Sequence, residues 1–218
     1  MTSGSTEAVY RYHHARRGRE GFSILEAERG KLFQALIGTG KRILDLGCRD
    51  GTLTRHFAVG NEVIGADVDS HALSVAAETL GIRTVQFDFN AGEWPVEAAS
   101  FDVVVAAEVI EHLFHPERAL ERIRNVLRPG GLFVGSVPNA FSLKCRLRYL
   151  LGSKRGTPLA DPMHINQFEW HEFERLLGMA FTDVELYPLG KWRRLMRYAP
   201  ALAAFGIGFS ARYPKSLS

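Results

Sequence analysis

Apolar and polar positions along the chain switch between a helical period and short apolar runs. From about Glu20 to Ile37, Phe22, Leu25, Leu32, Phe33 and Leu36 recur with charges between them, which predicts an amphipathic helix ended by Gly38 and Gly40. Ile43 to Leu46 is a short apolar run that enters a glycine-bearing turn, and Leu53, Phe57 and Ala58 mark a helix after it. The couplet then repeats. Asn61 to Asp67 reads as a strand, followed by a helix to about Leu80 that Asp69 or Ser70 can cap, and Thr84 to Asp88 as a third strand. Phe101 to Ala107 is a continuous apolar run of the kind found in a parallel strand covered on both faces. His115-Pro116 opens a helix that buries Ala119, Leu120, Ile123, Val126 and Leu127. Arg128-Pro129-Gly130-Gly131 stops it and turns the chain into a fifth strand, Leu132 to Val137.

Beyond Pro138-Asn139 the rhythm loosens. A basic helix is expected over about Phe141 to Leu151, a polar loop to about Gln167, and a helix over Trp170 to Leu177. Thr182 to Leu186 reads as a sixth strand, Trp192 to Ala204 as a helix and Gly206 to Tyr213 as a last strand. Strand and helix alternating at this pitch predict an α/β fold: a doubly wound, mostly parallel, seven-stranded sheet with helices on both faces. With 218 residues, 46% of them hydrophobic, the chain suits one domain over 1–218 with a single sizeable core. Residues 1–38 then form an N-terminal helical cap and 139–168 an insertion.

Composition narrows the address and the partners. Cys48 and Cys145 are the two cysteines, too few for a disulfide scaffold, and no C-x-x-C pair is present, so a reducing, cytoplasmic setting is expected. Met1 to Glu7 are small and polar without an apolar signal core. The formal net charge is only +3, yet Arg11, Arg16, Arg17 and Arg19 cluster early, Lys144, Arg146, Arg148, Lys154 and Arg155 in the middle, and Lys191, Arg193, Arg194 and Arg197 late. Such clusters are either solvated helix faces or attract an anionic ligand or lipid; no strong nucleic-acid signal accompanies them. The apolar run Tyr198 to Phe209 is too short to span a bilayer and is divided by Pro200, Gly206 and Gly208, which leaves interfacial contact as the membrane reading.

The turn after the first strand carries the chemistry. Gly47 and Gly51 permit close backbone approach where helix N–H groups converge, and Asp45 puts a carboxylate at the strand end. Neither G-x-G-x-x-G nor G-K-[ST] is present, so NAD and ATP fit poorly and a ligand bearing an ammonium group fits better. Asp67 ends the second strand roughly twenty residues later, where a carboxylate accepts hydrogen bonds from ribose hydroxyls, with Asp69 the alternative acceptor.

Ile43 to Gly51, I-L-D-L-G-C-R-D-G, resembles the first motif of class I S-adenosylmethionine (SAM) methyltransferases, D-x-G-x-G-x-G, with Arg49 in place of the middle glycine. Glu108 to Pro116 and Leu127 to Gly131 resemble the matching parts of small-molecule methyltransferases of the type 11 and type 23 groups. Ser136-Val137-Pro138-Asn139 and the Arg146 to Gly152 stretch also look like the family of the methionine biosynthesis protein MetW. The resemblance covers roughly Lys41 to Leu186. It implies SAM as cofactor and S-adenosylhomocysteine as product, bound by Asp45, Gly47, Cys48, Gly51, Asp67, Val68, Asp88, Phe89, Ala107 and Glu108. Asp88 and Phe89 would hold adenine, and Ala107 and Glu108 would lie under the methionine part.

Methyl transfer to oxygen or nitrogen of a small or medium-sized acceptor is the activity this implies, with a MetW-like accessory role through a partner as the alternative. The acceptor is expected between Tyr10 to His14, the loop after Glu108 and the stretch Lys144 to Phe168, which bring His13, His14, His112 and His164, with Arg146 and Arg148 for an anionic acceptor. His112 and His164 are the candidate bases. Glu108, Glu111, His112 and His164 offer an alternative use as ligands of a divalent metal. Similar E-x-x-E-H arrangements are associated with a cation in the small-RNA 2′-O-methylating and ubiquinone O-methylating families.

Overall fold

The computed structural model describes residues 7–8, 21–91 and 93–213. The expected Tyr10 to His14 contribution and the early arginine cluster therefore lie outside the described residues. Helix α1 (Glu26–Ile37) buries Arg29, Gly30, Phe33 and Ile37 and stops at Gly38, whose N–H donates back to the Gln34 carbonyl. Strand β1 (Arg42–Leu46) follows, then the short helix α2 (Arg55–Ala58) and strand β2 (Glu62–Asp67). Helix α3 (Ser70–Leu80) is capped by Asp69, whose side chain accepts from the N–H groups of His71 and Ala72. Strands β3 (Arg83–Gln86) and β4 (Phe101–Ala107) lead through a 3₁₀ turn (Ile110–His112) to helix α4 (Pro116–Val126) and strand β5 (Leu127–Pro138). Helix α5 (Leu143–Leu150), a 3₁₀ turn (Pro158–Ala160), helix α6 (Trp170–Gly178), strand β6 (Thr182–Leu189), helices α7 (Arg193–Met196) and α8 (Pro200–Ala203), and strand β7 (Gly206–Arg212) complete the order.

The seven strands form one sheet in the order β3-β2-β1-β4-β5-β7-β6, parallel except for β7, which runs antiparallel to both its neighbours. Strand β4 explains the layering. Its continuous apolar run places Val103 and Val105 in a cluster with Phe33, Ile37 and Phe57 of α1 and α2, while Val104 and Ala106 join a larger cluster with Leu120, Ile123 and Phe173 of α4 and α6. Phe133, Phe173, Phe181 and Phe209 knit β5, α6 and β7 together, the Phe133–Phe209 centroids lying 4.8 Å apart and the Phe173–Phe209 centroids 5.2 Å apart.

Several expected boundaries move, each for a local reason. The third strand ends at Gln86, not Asp88, because Asp88 turns the chain by accepting the Asn90 N–H at 2.9 Å. The fifth strand begins at Leu127. The Arg128 to Gly131 segment enters the ladder through a register shift opposite Phe101 to Val103 instead of forming a free turn. The sixth strand continues to Leu189, which pairs with Gly206. The helix expected over Trp192 to Ala204 is broken into α7 and α8, since Pro200 keeps Ala199 out of the helical region (φ −142°, ψ 65°) and then opens α8 at its first turn.

Phe209 packs against the rings of Phe133 and Phe173 and is fully buried. Phe209→Ala should destabilise the protein by about 3–5 kcal/mol, read as a lower urea midpoint at unchanged slope.

Candidate active site

The sheet order reverses between β1 and β4, so the loops leaving those two strands part and open a cleft at the carboxyl edge. The loop after β1 is folded across the end of β2. The N–H groups of Gly47 and Cys48 donate to the Ala66 carbonyl at 2.8 and 3.2 Å, and the Arg49 N–H donates to Asp67 Oδ2 at 3.1 Å. Gly47 (φ 72°) leaves no room for a side chain, because a Cβ there would lie 2.5 Å from Val109 Cγ2. Cys48 is buried, its thiol lying over Gly65, where an added Cβ would come within 2.7 Å of Sγ.

Nine of the ten residues expected around the cofactor line this one cleft: Asp45, Gly47, Cys48, Asp67, Val68, Asp88, Phe89, Ala107 and Glu108. Gly51 is not among the lining residues. It adopts φ 79° and packs on α3, where a Cβ would meet Leu80 Cδ1 at 2.6 Å, so its part is to let the loop turn into α2. Arg49, standing where the motif has glycine, adopts the left-handed φ of 51°, and its guanidinium donates to the Phe22 carbonyl at 3.2 Å. Next to it, Asp50 accepts the Gly21 N–H at 2.7 Å, so Arg49 and Asp50 together fasten the segment that supplies Phe22, Ser23 and Ile24 to the cleft wall. Hydrogen bonds from Gly21 and Thr52 hold the Asp50 carboxyl below its usual range against the opposing effect of burial.

The cleft floor is acidic and dry. Asp45 and Asp67 are both buried. Desolvation raises Asp45 from 3.8 to about 7, the Asp67 charge adding to the rise while the Thr54 hydroxyl, donating at 2.6 Å, opposes it. Desolvation likewise raises Asp67 to about 6, although the N–H groups of Asp69 and Arg49 favour its charged form. Burial pushes the Cys48 thiol well up, so it is a packing group and not a nucleophile.

Two residues of this wall, Arg29 and Ser23, gave no sequence signal. Arg29 of α1 is 3% exposed and reaches across to donate to Ser136 Oγ at 3.1 Å and Ser23 Oγ at 2.7 Å, with Glu108 Oε1 at 3.5 Å. Ser136 in turn donates to Glu108 Oε1 at 2.9 Å. Glu108 adopts φ 60°, a left-handed conformation that marks the end of β4 as strained. Within the amphipathic pattern of α1, Arg29 reads only as one of the charges between apolar positions.

His112 also lines the cleft, and its Nδ1 lies 2.8 Å from the Met163 carbonyl. His164 does not line it. Its ring packs edge-on against His112 with centroids 4.9 Å apart, and its Nε2 lies 3.7 Å from Asp161 Oδ2. Glu111, 1% exposed, places Oε1 3.9 Å from His112 Nε2. Donor atoms of Glu111, His112 and His164 all fall within 4.8 Å of one another. Glu108, expected in the same group, is instead drawn away by Arg29 and Ser136, which corrects the four-residue set to three.

A family model described as a methyltransferase domain matches residues 13–186 of the chain. The chain belongs to this methyltransferase family. It is 35% identical over 159 residues to a ubiquinone biosynthesis O-methyltransferase of Paraburkholderia phymatum, covering 67% of this chain and 68% of that protein. It is 33% identical over 147 residues to a "probable S-adenosylmethionine-dependent methyltransferase" of Mycolicibacterium smegmatis, covering 67% of this chain; the match spans about half, 53%, of that protein's length. A SAM-dependent methyltransferase structure from Archaeoglobus fulgidus superposes with a TM-score of 0.67 at 18% identity, covering 94% of this chain and 99% of that one. At that identity the structural likeness speaks for the fold alone. The described part of this methyltransferase contains no helix long and apolar enough to cross a membrane.

Asp45 and Asp67 give stability a pH dependence of definite sign. Unfolded, both release their protons near pH 4; folded, they hold them to about 7 and 6. Between those values the native state binds more protons than the unfolded one, so this contribution is most favourable at the acid end and is lost as pH rises through the folded values. Asp45→Asn should gain on wild type as pH rises from 4.5 to 7.5, in urea unfolding of the ligand-free protein; a constant difference would show that Asp45 ionises normally.

Proposed function

We propose that the chain transfers the methyl group of SAM to an oxygen or nitrogen of a small or medium-sized acceptor. The observation that carries this reading is the convergence of four groups at or just past the carboxyl ends of strands, Asp45, Asp67, Asp88 and Ala107-Glu108, on one cleft inside the region that the family model matches. Oxygen is favoured over nitrogen by the relatives whose names are ubiquinone biosynthesis O-methyltransferase. The buried acids suit a ligand carrying both an ammonium and a sulfonium, while the Asp67 carboxylate at the end of β2 suits a ribose. Bound SAM supplies a methyl group on a sulfonium that leaves as a neutral thioether, so alignment is the protein's main task.

His112 is the residue proposed to take the acceptor's proton. With Nδ1–H donating to the Met163 carbonyl, Nε2 keeps its lone pair, and the imidazolium formed there faces the Glu111 carboxylate. His164 holds the His112 ring from its edge and is a positioning residue. Arg146 and Arg148, offered for an anionic acceptor, are committed in part: Arg146 Nε donates to the Phe141 carbonyl at 2.7 Å and Arg148 to the Arg155 carbonyl.

A second reading is favoured by the clustering of Glu111, His112 and His164. Two imidazoles and a buried carboxylate fit a divalent cation of borderline hardness, and the Met163 contact would fix the His112 tautomer that leaves Nε2 to ligate. Such an ion would polarise the acceptor oxygen. If it is used, turnover falls on treatment with EDTA and returns with added Mg²⁺, Mn²⁺ or Zn²⁺. Undiminished turnover by protein that elemental analysis finds metal-free leaves the cluster to orient His112 alone.

The primary test is methylation of metabolite extracts with labelled SAM, alongside calorimetry with SAM and S-adenosylhomocysteine. Asp67→Ala should weaken SAM binding by about 1.5–3 kcal/mol, the range for hydrogen bonds to a charged group. It should also cost roughly 1 kcal/mol of stability, because the Arg49 and Asp69 N–H groups lose their acceptor. Unchanged affinity in the folded variant would move the ribose contact elsewhere.

A further inference from the structure

Two stretches leave the carboxyl edge of the sheet beside one another. One, 139–160, follows β5 and carries α5; the other, 190–205, joins β6 to β7 and carries α7 and α8. Asn139 ties their bases together, its side-chain amide donating to the carbonyls of Ala201 and Ala204 at 2.9 and 3.0 Å and its N–H to the Phe205 carbonyl at 3.2 Å. Because β1, β2, β4 and β5 are parallel, this is also the edge on which the candidate active site opens.

The composition of the two stretches is one-sided. Neither contains an Asp or Glu, while together they hold nine Lys and Arg residues. Lys144, Lys154, Arg155, Lys191, Arg194 and Arg197 are exposed and have no ion pair among the described residues. Between these cations stand large apolar side chains that the fold does not cover. Leu150, Leu151 and Tyr198 are each 82% exposed, and Leu147, Trp192 and Phe205 are about half exposed.

We propose that this surface docks the protein peripherally on a bilayer containing anionic lipid. A polybasic rim attracts the negative surface potential of such a bilayer at short range, the leucine tips enter the acyl boundary, and Trp192 and Tyr198 have the half-apolar, half-polar side chains that settle at the headgroup level. A protein partner would have to supply both an acidic rim and an apolar centre; an anionic bilayer presents both everywhere. Both stretches hang from the active-site edge, so docking turns that edge toward the membrane. The inference stands independently of the methyl-transfer reading.

Cosedimentation of the full chain with vesicles tests it. Binding to phosphatidylcholine vesicles containing phosphatidylglycerol should exceed binding to phosphatidylcholine alone by about tenfold or more and should fall at high salt. The double variant Leu150→Glu/Leu151→Glu and the double variant Arg194→Glu/Arg197→Glu should each lose about tenfold in vesicle binding while keeping the wild-type circular dichroism spectrum and melting temperature. No binding to anionic vesicles, equal binding to neutral ones, or folded variants that bind as wild type would overturn the proposal. So would variants whose oligomeric state changes in sedimentation velocity without any vesicle binding, which would make the face a protein interface.

Discussion

The cleft depends on a single crossing, in which the loop after β1 is pulled over the end of β2 by three backbone N–H donors. Two of them share the Ala66 carbonyl and the third meets the Asp67 carboxylate. That crossing puts Gly47 against Val109, Cys48 over Gly65 and Arg49 within reach of Phe22, and so joins three separate segments into one wall. It also explains why Asp67 is dry: the loop that it orients covers it, and the loss of water raises its pKa. Asp45 behaves alike at the neighbouring strand end, with Thr54 as its nearest donor. A cation entering the cleft would find two carboxyls ready to ionise against it.

Much of this was legible in the sequence because parallel strands covered on both faces are written as apolar runs, and their carboxyl ends are written as acids and glycines. Asp45 and Asp67 can be placed from those endings, and Asp88, which lies in the turn just past β3, from the family resemblance. Other features depend on groups far apart along the chain. Arg29 meets Ser136 across a separation of 107 residues, and nothing in the periodicity of α1 distinguishes that arginine from a solvated one. The turn motif predicts a ligand-facing glycine at Gly51, whereas the side chain it lacks would strike Leu80 of α3. The basic helix after β5 was visible as a pattern, but the break between α7 and α8 required giving Pro200 and its preceding alanine more weight than the apolar run around them.

Positive φ angles at Arg49 and Glu108 have a common logic. Both lie at exits of central strands, and both are held by partners from α1 or the segment before it: Arg49 by the Phe22 carbonyl, Glu108 by Arg29. Left-handed backbone at a side-chain-bearing residue costs on the order of 1 kcal/mol and persists where the surroundings over-determine it. The residues before β1 are thus part of the cleft's construction, and a truncation there would relax both strand exits together.

The sheet order β5-β7-β6 carries a consequence for synthesis. Strand β7, residues 206–212, is made after the six other strands of this sheet, yet it fills the slot between two strands already made. Until it arrives, β5 presents an unpaired ladder, and the aromatic cluster around Phe133 lacks Phe209. Between the completion of β5 at Pro138 and the arrival of β7 at Gly206, a nascent chain of this topology carries an open, apolar strand edge, the kind of edge that chaperones shield and that unrelated strands can usurp.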